Sequence, residues 1–198
     1  MATVIHLIRH GEVENPGNIR YGQLHGFGLS RRGELQARAA GRYLRGAATP
    51  IAAIISSPLE RAIQTATLLQ IELALAGFEL DEQLIEAPNQ FDGQRRTAPL
   101  YPWNWRVLRD PFTPSWGEPF SDVARRMQTA IAGHGRRHAG RHIALVSHQS
   151  PIWLARLAYE GRRLPPWLSR VRCTHASITS LELDGDRCIA HRYWEPPR

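Results

Sequence analysis

The stretch Val4-Ile5-His6-Leu7-Ile8-Arg9-His10-Gly11-Glu12 places a cation, an imidazole and a glycine directly after an apolar run. A short run of this kind predicts a buried β-strand, here from Thr3 to Ile8. Ligands in open α/β sheets bind outside the carboxyl ends of the strands. The first residues of the chain therefore predict a phosphate site at Arg9 and His10.

Two further apolar runs end in polar residues, as the first does: Ile51–Ile55 precedes Ser56-Ser57, and Ile143–Val146 precedes Ser147-His148. Helical patterns separate the three runs. Strands that alternate with helices predict βαβ units and a mostly parallel sheet. Because the carboxyl ends of parallel neighbours meet at one edge, we expect Arg9, His10, the Ser57 region and His148 to share a crevice.

Three helices are predicted from starting residues followed by apolar residues at helical spacing. The predicted starts are an N-cap at Ser30, a first turn at Pro58 and an N-cap at Ser121. The predicted apolar faces are Leu35, Ala39 and Tyr43 in the first helix, which ends near Gly46; Ala62, Ala66 and Leu69 in the second; and Val123, Met127, Ala130 and Ile131 in the third.

The remaining segments complete a single predicted domain over residues 1–198. Ser177–Leu183 and Cys188–Trp194 alternate between apolar and polar residues, and the Asp184-Gly185 turn between them predicts a closing β-hairpin. Residues 87–120 are rich in Pro, Trp and Arg and have weak periodicity. Such a segment inside a domain predicts an irregular substrate or lid segment.

Composition narrows the classes of partner. All 25 basic residues are arginine, and the net charge is +7; arginine binds phosphate groups through two N–H donors at once. The arginines are scattered and no nucleic-acid-binding motif accompanies them, so we do not expect nucleic acid as a partner. No apolar stretch is long enough to span a bilayer and no signal-type core is present, which predicts a cytoplasmic protein without a membrane partner. Cys173 and Cys188 are interpreted as thiols without metal or redox chemistry.

Four blocks of the sequence resemble the histidine phosphatase superfamily, which has the phosphoglycerate-mutase-like fold. They are Arg9-His10-Gly11-Glu12, the Leu-Ser-x-x-Gly-x-x-Gln-Ala match at Leu29–Ala37, the Ser-Ser-Pro-Leu-x-Arg-Ala-x-x-Thr-Ala match at Ser56–Ala66, and Val146-Ser147-His148. Each block is a weak signal alone, but all four occur in the family's order and span most of the chain. The resemblance implies a three-layer α/β/α fold with a mostly parallel central sheet, in the phosphatase branch.

The resemblance implies a phosphomonoester hydrolase with His10 as nucleophile and with Arg9, Arg61 and His148 binding the phosphoryl group. The chemistry agrees, because a phosphoryl group in transfer carries negative charge on its equatorial oxygens and histidine can carry a covalent intermediate. His10 must be neutral to attack. We expect a carbonyl in the Gly11 turn to keep one ring nitrogen of His10 protonated. We also expect His148 to be a better hydrogen-bond donor if it is protonated.

The resemblance also implies a glutamate as general acid and base, and Leu84-Ile85-Glu86 matches the family's Leu-x-Glu segment. The match is imperfect, because the family has a glycine and a slightly longer spacing before its loop, which here ends in Phe91-Asp92-Gly93. Glu86 is therefore the predicted acid, with Glu82, Asp92 and Glu118 as alternatives.

Substrate contacts are predicted where the chain departs from the family. Pro16 replaces the family's asparagine, so Asn15 or Asn18, on either side of Pro16, is expected to contact phosphate. Gln149 replaces the glycine after the second histidine and is also predicted to contact the substrate. Gly11, directly after His10, is also predicted to contact the substrate. The middle segment offers cations, aromatics and an acid for a leaving group: Arg95, Arg96, Trp103, Trp105, Arg106, Trp116 and Glu118, of which Arg95 and Trp116 are preferred. The alternative is that its tryptophans anchor the segment to the core.

Two other functions remain open at this point. A phosphoglycerate mutase would use the same phosphohistidine, although this chain lacks the lysine of the mutases it resembles. A phosphate- or phosphopeptide-binding module would have lost turnover. No cofactor or metal is expected, and His134, His138 and His142 are interpreted as a solvated basic helix end. The expected partner is a small-molecule phosphate ester, and a homodimer is left open.

Overall fold

The computed structural model describes residues 2–95, 117–164 and 171–197 of the chain. Its strands are β1 (Thr3–Arg9), β2 (Ile51–Ser56), β3 (Glu79–Leu80), β4 (His142–Ser147), β5 (Ile178–Asp184) and β6 (Arg187–Trp194). Its helices are α1 (Arg31–Arg45), α2 (Glu60–Leu73), α3 (Phe120–Arg137) and α4 (Gln149–Tyr159), with a short 3₁₀ turn at Glu82–Leu84.

The strands form one six-stranded sheet in the order β3-β2-β4-β1-β5-β6. β1 and β2 both pair in parallel with β4, and β3 pairs in parallel with β2. β5 and β6 form the predicted antiparallel hairpin, and β5 joins it to β1. The predicted α/β fold with a mostly parallel sheet is therefore confirmed.

Helices cover both faces of the sheet. On one face, Ile5 of β1 packs with Ile131 of α3 and Ile152 of α4. On the other face, Ile8 packs with Leu44 of α1 and with side chains of α2. Each fully buried Ile or Leu contributes roughly 1.5–3 kcal/mol. Burial on alternate sides of β1 thus creates the three layers.

The core face of α1 differs from the prediction. Ser30 is the N-cap as predicted, and its hydroxyl accepts a hydrogen bond from the N–H of Gly33. However, Leu35 is 59% and Tyr43 46% exposed, and the buried residues are Gly33, Ala37, Ala40, Gly41 and Leu44. Small residues face inward because α1 packs closely on α2, and a Cβ on Gly41 would lie 2.6 Å from Glu72 Cβ. Tyr43 instead stacks on Trp194, with ring centroids 4.4 Å apart.

The predicted apolar faces of α2 and α3 are buried, but both helix starts were misplaced. Leu59 rather than Pro58 is the residue before α2, so Pro58 lies in the preceding turn. Pro119 precedes α3, and Ser121 lies inside its first turn, exposed. A proline inside a helix would lose a backbone hydrogen bond and clash with the preceding turn. The helix α3 therefore begins directly after Pro119.

Several parts of the chain were not predicted or lie outside the described residues. Sequence reasoning missed α4 and the two-residue β3. Most of the irregular segment, residues 96–116, is outside the described part, and its flanks form isolated bridges between Ile19 and Arg95 and between Asn89 and Gly117. Cys173 and Cys188 are free thiols, as predicted. No helix in the described ranges is long and apolar enough to cross a membrane.

Candidate active site

The carboxyl ends of β1, β2 and β4 lie side by side. Arg9 pairs with Ser147, and the pairing continues one residue further because the N–H of His10 donates to the Ser147 carbonyl over 3.1 Å. Likewise, the N–H of Ser57 donates to the Val146 carbonyl over 2.9 Å. The structure therefore brings the predicted nucleophile, Ser57 and the histidine that follows β4 to one edge of the sheet.

His10 is buried and its ring has a defined hydrogen bond. Its Nδ1 lies 2.7 Å from the Gly11 carbonyl oxygen, which can only accept, so Nδ1 carries the proton. Burial, His148, Arg61 and Arg9 together lower the pKa of His10 well below 6.5, although the Gly11 carbonyl opposes them. A neutral ring with the proton on Nδ1 leaves a lone pair on Nε2, as a nucleophile requires.

Close backbone packing holds the turn after His10 against α1. A Cβ on Gly11 would lie 2.4 Å from the Gly33 carbonyl oxygen, and one on Gly33 would lie 2.0 Å from the Glu12 carbonyl oxygen. The Gln36 side chain accepts a hydrogen bond from the N–H of Glu12 over 2.9 Å. Gly33 and Gln36 of the second sequence block thus pack against and bond to the turn that follows His10.

Arg61, on the first turn of α2, is 1% exposed. One of its terminal nitrogens, Nη2, donates to the Gly22 carbonyl, and its guanidinium lies 4.8 Å from the centre of the Tyr21 ring. Tyr21 in turn stacks on Phe27, with centroids 5.4 Å apart. The loop before α1 therefore fixes the direction of this guanidinium.

Arg9 is held from the other side of the site. Its Nη1 donates to the Cys173 carbonyl over 2.7 Å, and its Nη2 lies 3.0 Å from His175 Nε2. The His175 ring also lies beside His10, with centroids 5.9 Å apart. The segment before β5 thus orients the arginine that precedes His10.

His148 is fully buried beside His10, with ring centroids 5.1 Å apart. Its Nε2 lies 2.8 Å from Ser57 Oγ. Burial lowers the pKa of His148 well below its ordinary value, and Arg61, Arg9 and Arg126 add to the shift. Without a bound anion, this environment favours the neutral ring of His148.

Three buried nitrogens in this site have no hydrogen-bond partner within the described ranges: Arg9 Nε, Arg61 Nε and His148 Nδ1. Buried polar groups in proteins are nearly always satisfied, and an unsatisfied one costs about 1–3 kcal/mol. Two permanent cations and an imidazole therefore surround His10 with unused polar capacity, which suits an anion with several acceptor oxygens.

Glu86 lies on the loop after the 3₁₀ turn and is partly buried. Its carboxylate accepts hydrogen bonds from the Ala87 N–H, over 2.9 Å, and from the Ser150 hydroxyl. Burial raises the pKa of Glu86 above 4.5, against the lowering effect of these bonds and of Arg61 and Arg9. A carboxyl that holds its proton more strongly beside two phosphate-binding candidates is suited to acid catalysis.

The alternative acids lie in different surroundings. Glu82 is exposed, and Glu118 is held by Arg126 through bonds of 2.9 and 3.0 Å. Asp92 is closer in character to Glu86, because burial also raises its pKa and one of its oxygens, Oδ1, has no partner in the described structure. Glu86 and Asp92 are thus the two carboxyls whose protonation the site perturbs.

The predicted substrate contacts are placed less uniformly. Both polar atoms of the Asn15 amide bond to the Ile19 backbone, over 2.8 and 3.1 Å, so this side chain holds its own loop. Gln149 begins α4 directly after His148, and Arg95 is exposed. Trp116, like the other middle-segment residues Arg96, Trp103, Trp105 and Arg106, lies outside the described residues.

His134 lies in α3 and His142 begins β4, and the two make different contacts. His134 Nε2 lies 2.8 Å from Asp81 Oδ2, and His142 Nδ1 lies 3.3 Å from His6 Nε2. The interpretation of His134 as solvated was wrong, because its side chain is only 12% exposed and joins α3 to the 3₁₀ turn. The part of the chain that the structure describes holds no group of three or more metal-ligating side chains.

Sequence reasoning missed several side chains that support this site. Thr65 bonds to the N–H of Gly11, Tyr21 lies against Arg61, and His175 lies against Arg9. Thr65 lies within the third sequence block and was readable as a member of it. Tyr21 and His175 carry no local signal, since their partners are distant in sequence.

The model of the histidine phosphatase superfamily (branch 1) matches residues 5–195. The chain belongs to this superfamily. An uncharacterized Mycobacterium tuberculosis protein, Rv0525, is 46% identical to it over 98% of this chain and 96% of that protein. Membership of this superfamily points to phosphatase chemistry.

Two solved mycobacterial structures have the same fold. The structure described as mycobacterial hydrolase 1 superposes with a TM-score of 0.80 and 27% identity, covering 100% of both chains. The native structure of the mycobacterial glucosyl-3-phosphoglycerate phosphatase Rv2419c superposes with a TM-score of 0.76 and 27% identity, again over 100% of both chains. The predicted membership and fold are therefore confirmed.

Proposed function

We propose that this protein hydrolyses small phosphate monoesters through a phosphohistidine on His10, as a single domain without a metal or cofactor. The observation that carries the proposal is the set of buried nitrogens without a described hydrogen-bond partner on Arg9, Arg61 and His148, three residues that lie close enough to His10 to lower its pKa. Solved structural neighbours that are phosphatases by description support it. The substrate is expected to be a small molecule with a terminal phosphate.

In the first half-reaction, the lone pair on His10 Nε2 attacks phosphorus. The N–P bond forms as the bond from phosphorus to the ester oxygen breaks, and Glu86 gives its proton to the leaving oxygen. The raised pKa of Glu86 keeps this proton available. Arg9 and Arg61 stabilise the negative charge on the equatorial oxygens, and the Gly11 carbonyl stabilises the positive charge that develops on the imidazole.

In the second half-reaction, the Glu86 carboxylate takes a proton from water as the water oxygen attacks phosphorus. The N–P bond breaks, its electron pair returns to His10 Nε2, and inorganic phosphate leaves. Glu86 then holds the proton again, so that the site is restored. The same carboxyl therefore acts first as an acid and then as a base.

The test is hydrolysis of p-nitrophenyl phosphate and of a panel of sugar, nucleotide and glycerate phosphates by the wild type and by His10→Ala. We expect phosphate release by the wild type and none by His10→Ala. In the wild type, mass spectrometry after rapid quenching should also find an acid-labile phosphate on His10. His191→Ala, on β6 at the far edge of the sheet, is the control and should retain activity.

Other outcomes would replace the proposal. Transfer of phosphate between positions of glycerate, with little release to water, would make the protein a mutase. Binding of phosphate without turnover of any substrate would make it a binding module. Equal rates in His10→Ala and the wild type would remove His10 from the mechanism.

A further inference from the structure

Ser57 and His148 form a buried pair beyond the ends of β2 and β4. Ser57 Oγ lies 2.8 Å from His148 Nε2, and both residues are 0% exposed. The backbone N–H of Leu59 donates to the same Oγ over 3.4 Å. A serine hydroxyl has one proton and two acceptor positions, so with this N–H in one acceptor position Ser57 can either donate to the imidazole or accept from it.

The neutral His148 ring has two tautomers, and they offer opposite groups to the site. With the proton on Nε2, the ring donates to Ser57 and Nδ1 presents a lone pair. With the proton on Nδ1, Nε2 accepts from Ser57 and Nδ1 presents an N–H. Nδ1 is the nitrogen for which the described residues supply no partner.

The surroundings of His148 favour the second tautomer once an anion is bound. The charged or titratable groups that act on His148 are Arg61 of α2, Arg9 of β1, Arg126 of α3 and the adjacent His10. This group of cations attracts phosphate oxygens to the space beside the ring. A lone pair on Nδ1 would repel those oxygens, whereas an N–H would donate to them.

We propose that Ser57 is a positioning residue that donates its hydroxyl proton to His148 Nε2 and thereby holds His148 in the tautomer with an N–H on Nδ1. His148 then binds the phosphoryl group as a neutral donor, and in this respect the inference rests on the proposed function. The two imidazoles are used in complementary ways. His10 presents a lone pair on Nε2, and His148 presents a proton on Nδ1, with the ring centres 5.1 Å apart.

The tautomer itself is measured by NMR of protein labelled with ¹⁵N-histidine, from the ¹⁵N shifts of the ring and their long-range couplings to ring protons. With inorganic phosphate present, we expect the His148 proton on Nδ1 in the wild type and a mixture of both tautomers in Ser57→Ala. Ser56→Ala is the matched control, because Ser56 Oγ donates to the Ser57 carbonyl and not to the imidazole. A wild-type His148 with its proton on Nε2, or Ser57→Ala spectra identical to wild type, overturns the proposal.

Binding of orthovanadate or inorganic phosphate tests whether the tautomer matters to the site. We expect Ser57→Ala to weaken binding about 10-fold, which corresponds to about 1.4 kcal/mol, and Ser56→Ala to leave it unchanged. In a His148→Ala background, Ser57→Ala should have no further effect. An equal loss in both backgrounds means that Ser57 acts elsewhere and overturns the proposal.

The two proposals fail separately in these experiments. If no phosphate ester is hydrolysed but His148 holds its proton on Nδ1 in a Ser57-dependent manner, the hydrolase proposal fails and the positioning role stands. If hydrolysis depends on His10 but the tautomer does not depend on Ser57, the reverse holds. Circular dichroism of each variant identifies any loss of fold before either conclusion is drawn.

Discussion

The hydroxyl of Thr65 accepts a hydrogen bond from the backbone N–H of Gly11 over 3.1 Å and donates one to the Arg61 carbonyl over 2.7 Å. Thr65 is fully buried. One side chain therefore joins the turn that follows His10 to the helix turn that carries Arg61. It ties the backbone after His10 to the backbone of Arg61.

Thr65→Val should separate this link from ordinary packing. Valine fills a similar volume but leaves the buried Gly11 N–H unsatisfied, which is expected to cost about 1–3 kcal/mol of unfolding free energy. We also expect a fall in kcat/KM of about 10-fold or more as the turn shifts. Urea unfolding and p-nitrophenyl phosphate hydrolysis measure the two effects. Thr67→Val is the control, since the exposed Thr67 makes the same bond to the carbonyl four residues earlier; equal effects at both positions would refute the role of Thr65.

Gly33→Ala should disturb the nucleophile turn from the α1 side. Its new Cβ would lie 2.0 Å from the Glu12 carbonyl oxygen, so backbone must move, at a cost of about 1–3 kcal/mol. Gly133→Ala in α3 meets no atom within 4 Å and should instead stabilise the protein, by about 0.5–1 kcal/mol. Thermal unfolding of both variants tests the contrast, and a stable, fully active Gly33→Ala protein would contradict it.

Arg61→Lys should lose most activity although it keeps the charge. The guanidinium bonds to the Gly22 carbonyl and lies over Tyr21 while its Nε remains free, and a single ammonium cannot reproduce this geometry. We expect kcat/KM to fall about 100-fold or more and vanadate binding to weaken in parallel. Arg38→Lys, on the surface of α1 beside Glu72, is the control and should be neutral. Retention of more than half of the activity by Arg61→Lys would show that the guanidinium geometry is not needed there.

The pH profile should report His10 and Glu86. His10 must be unprotonated, and its lowered pKa moves the acid limb of kcat/KM well below pH 6.5. Glu86 must be protonated to act as acid, so kcat/KM falls as the pH rises through its raised pKa. Glu86→Gln should abolish this alkaline limb and slow esters with poor leaving groups about 100-fold or more, with a smaller effect on p-nitrophenyl phosphate.

Two further variants assign that limb to one carboxyl. Glu82→Gln alters an exposed acid of the preceding turn and should leave the profile unchanged. Asp92→Asn alters the other carboxyl with a raised pKa. If Asp92→Asn rather than Glu86→Gln removes the alkaline limb, the acid role belongs to Asp92.

Stability should fall in acid because of His6, away from the active site. His6 bonds to Ser180 and His142, and burial followed by the nearby His142 lowers the pKa of His6 from 6.5 to about 4. The unfolded chain binds a proton below pH 6.5 and the folded one does not, so the unfolding free energy decreases as the pH falls through this window. At about 1.4 kcal/mol for each pKa unit, the contribution is at most about 3.5 kcal/mol.

His10 and His148 also have lowered pKa values, so they reduce stability in acid in both the wild type and His6→Gln. The difference between the two proteins therefore isolates the contribution of His6. Urea unfolding at about pH 7 and about pH 4.5 should show a smaller acid loss in His6→Gln. The exposed His25→Gln variant is the control and should behave as wild type. An equal acid loss in His6→Gln would show that the buried His6 does not titrate between the two states.

Local sequence was sufficient for the elements whose signals lie within a few residues. The three apolar runs became β1, β2 and β4, and the Asp184-Gly185 turn joined the predicted hairpin. It was insufficient for the inward face of α1, because small residues are selected there by the close approach of α2 and not by apolarity. Four sequence blocks were also enough to predict the superfamily and fold.

The partners that orient the candidate catalytic groups came only from tertiary packing. Arg9 is held by the carbonyl of Cys173, 164 residues away, and His148 lies against Ser57, 91 residues away. No spacing rule relates such residues, because the sheet order and the loop paths decide which of them meet. The residue types and strand ends in the sequence therefore predict which groups gather at the site. Which nitrogen of each group stays without a partner depends on hydrogen bonds that exist only in the folded chain.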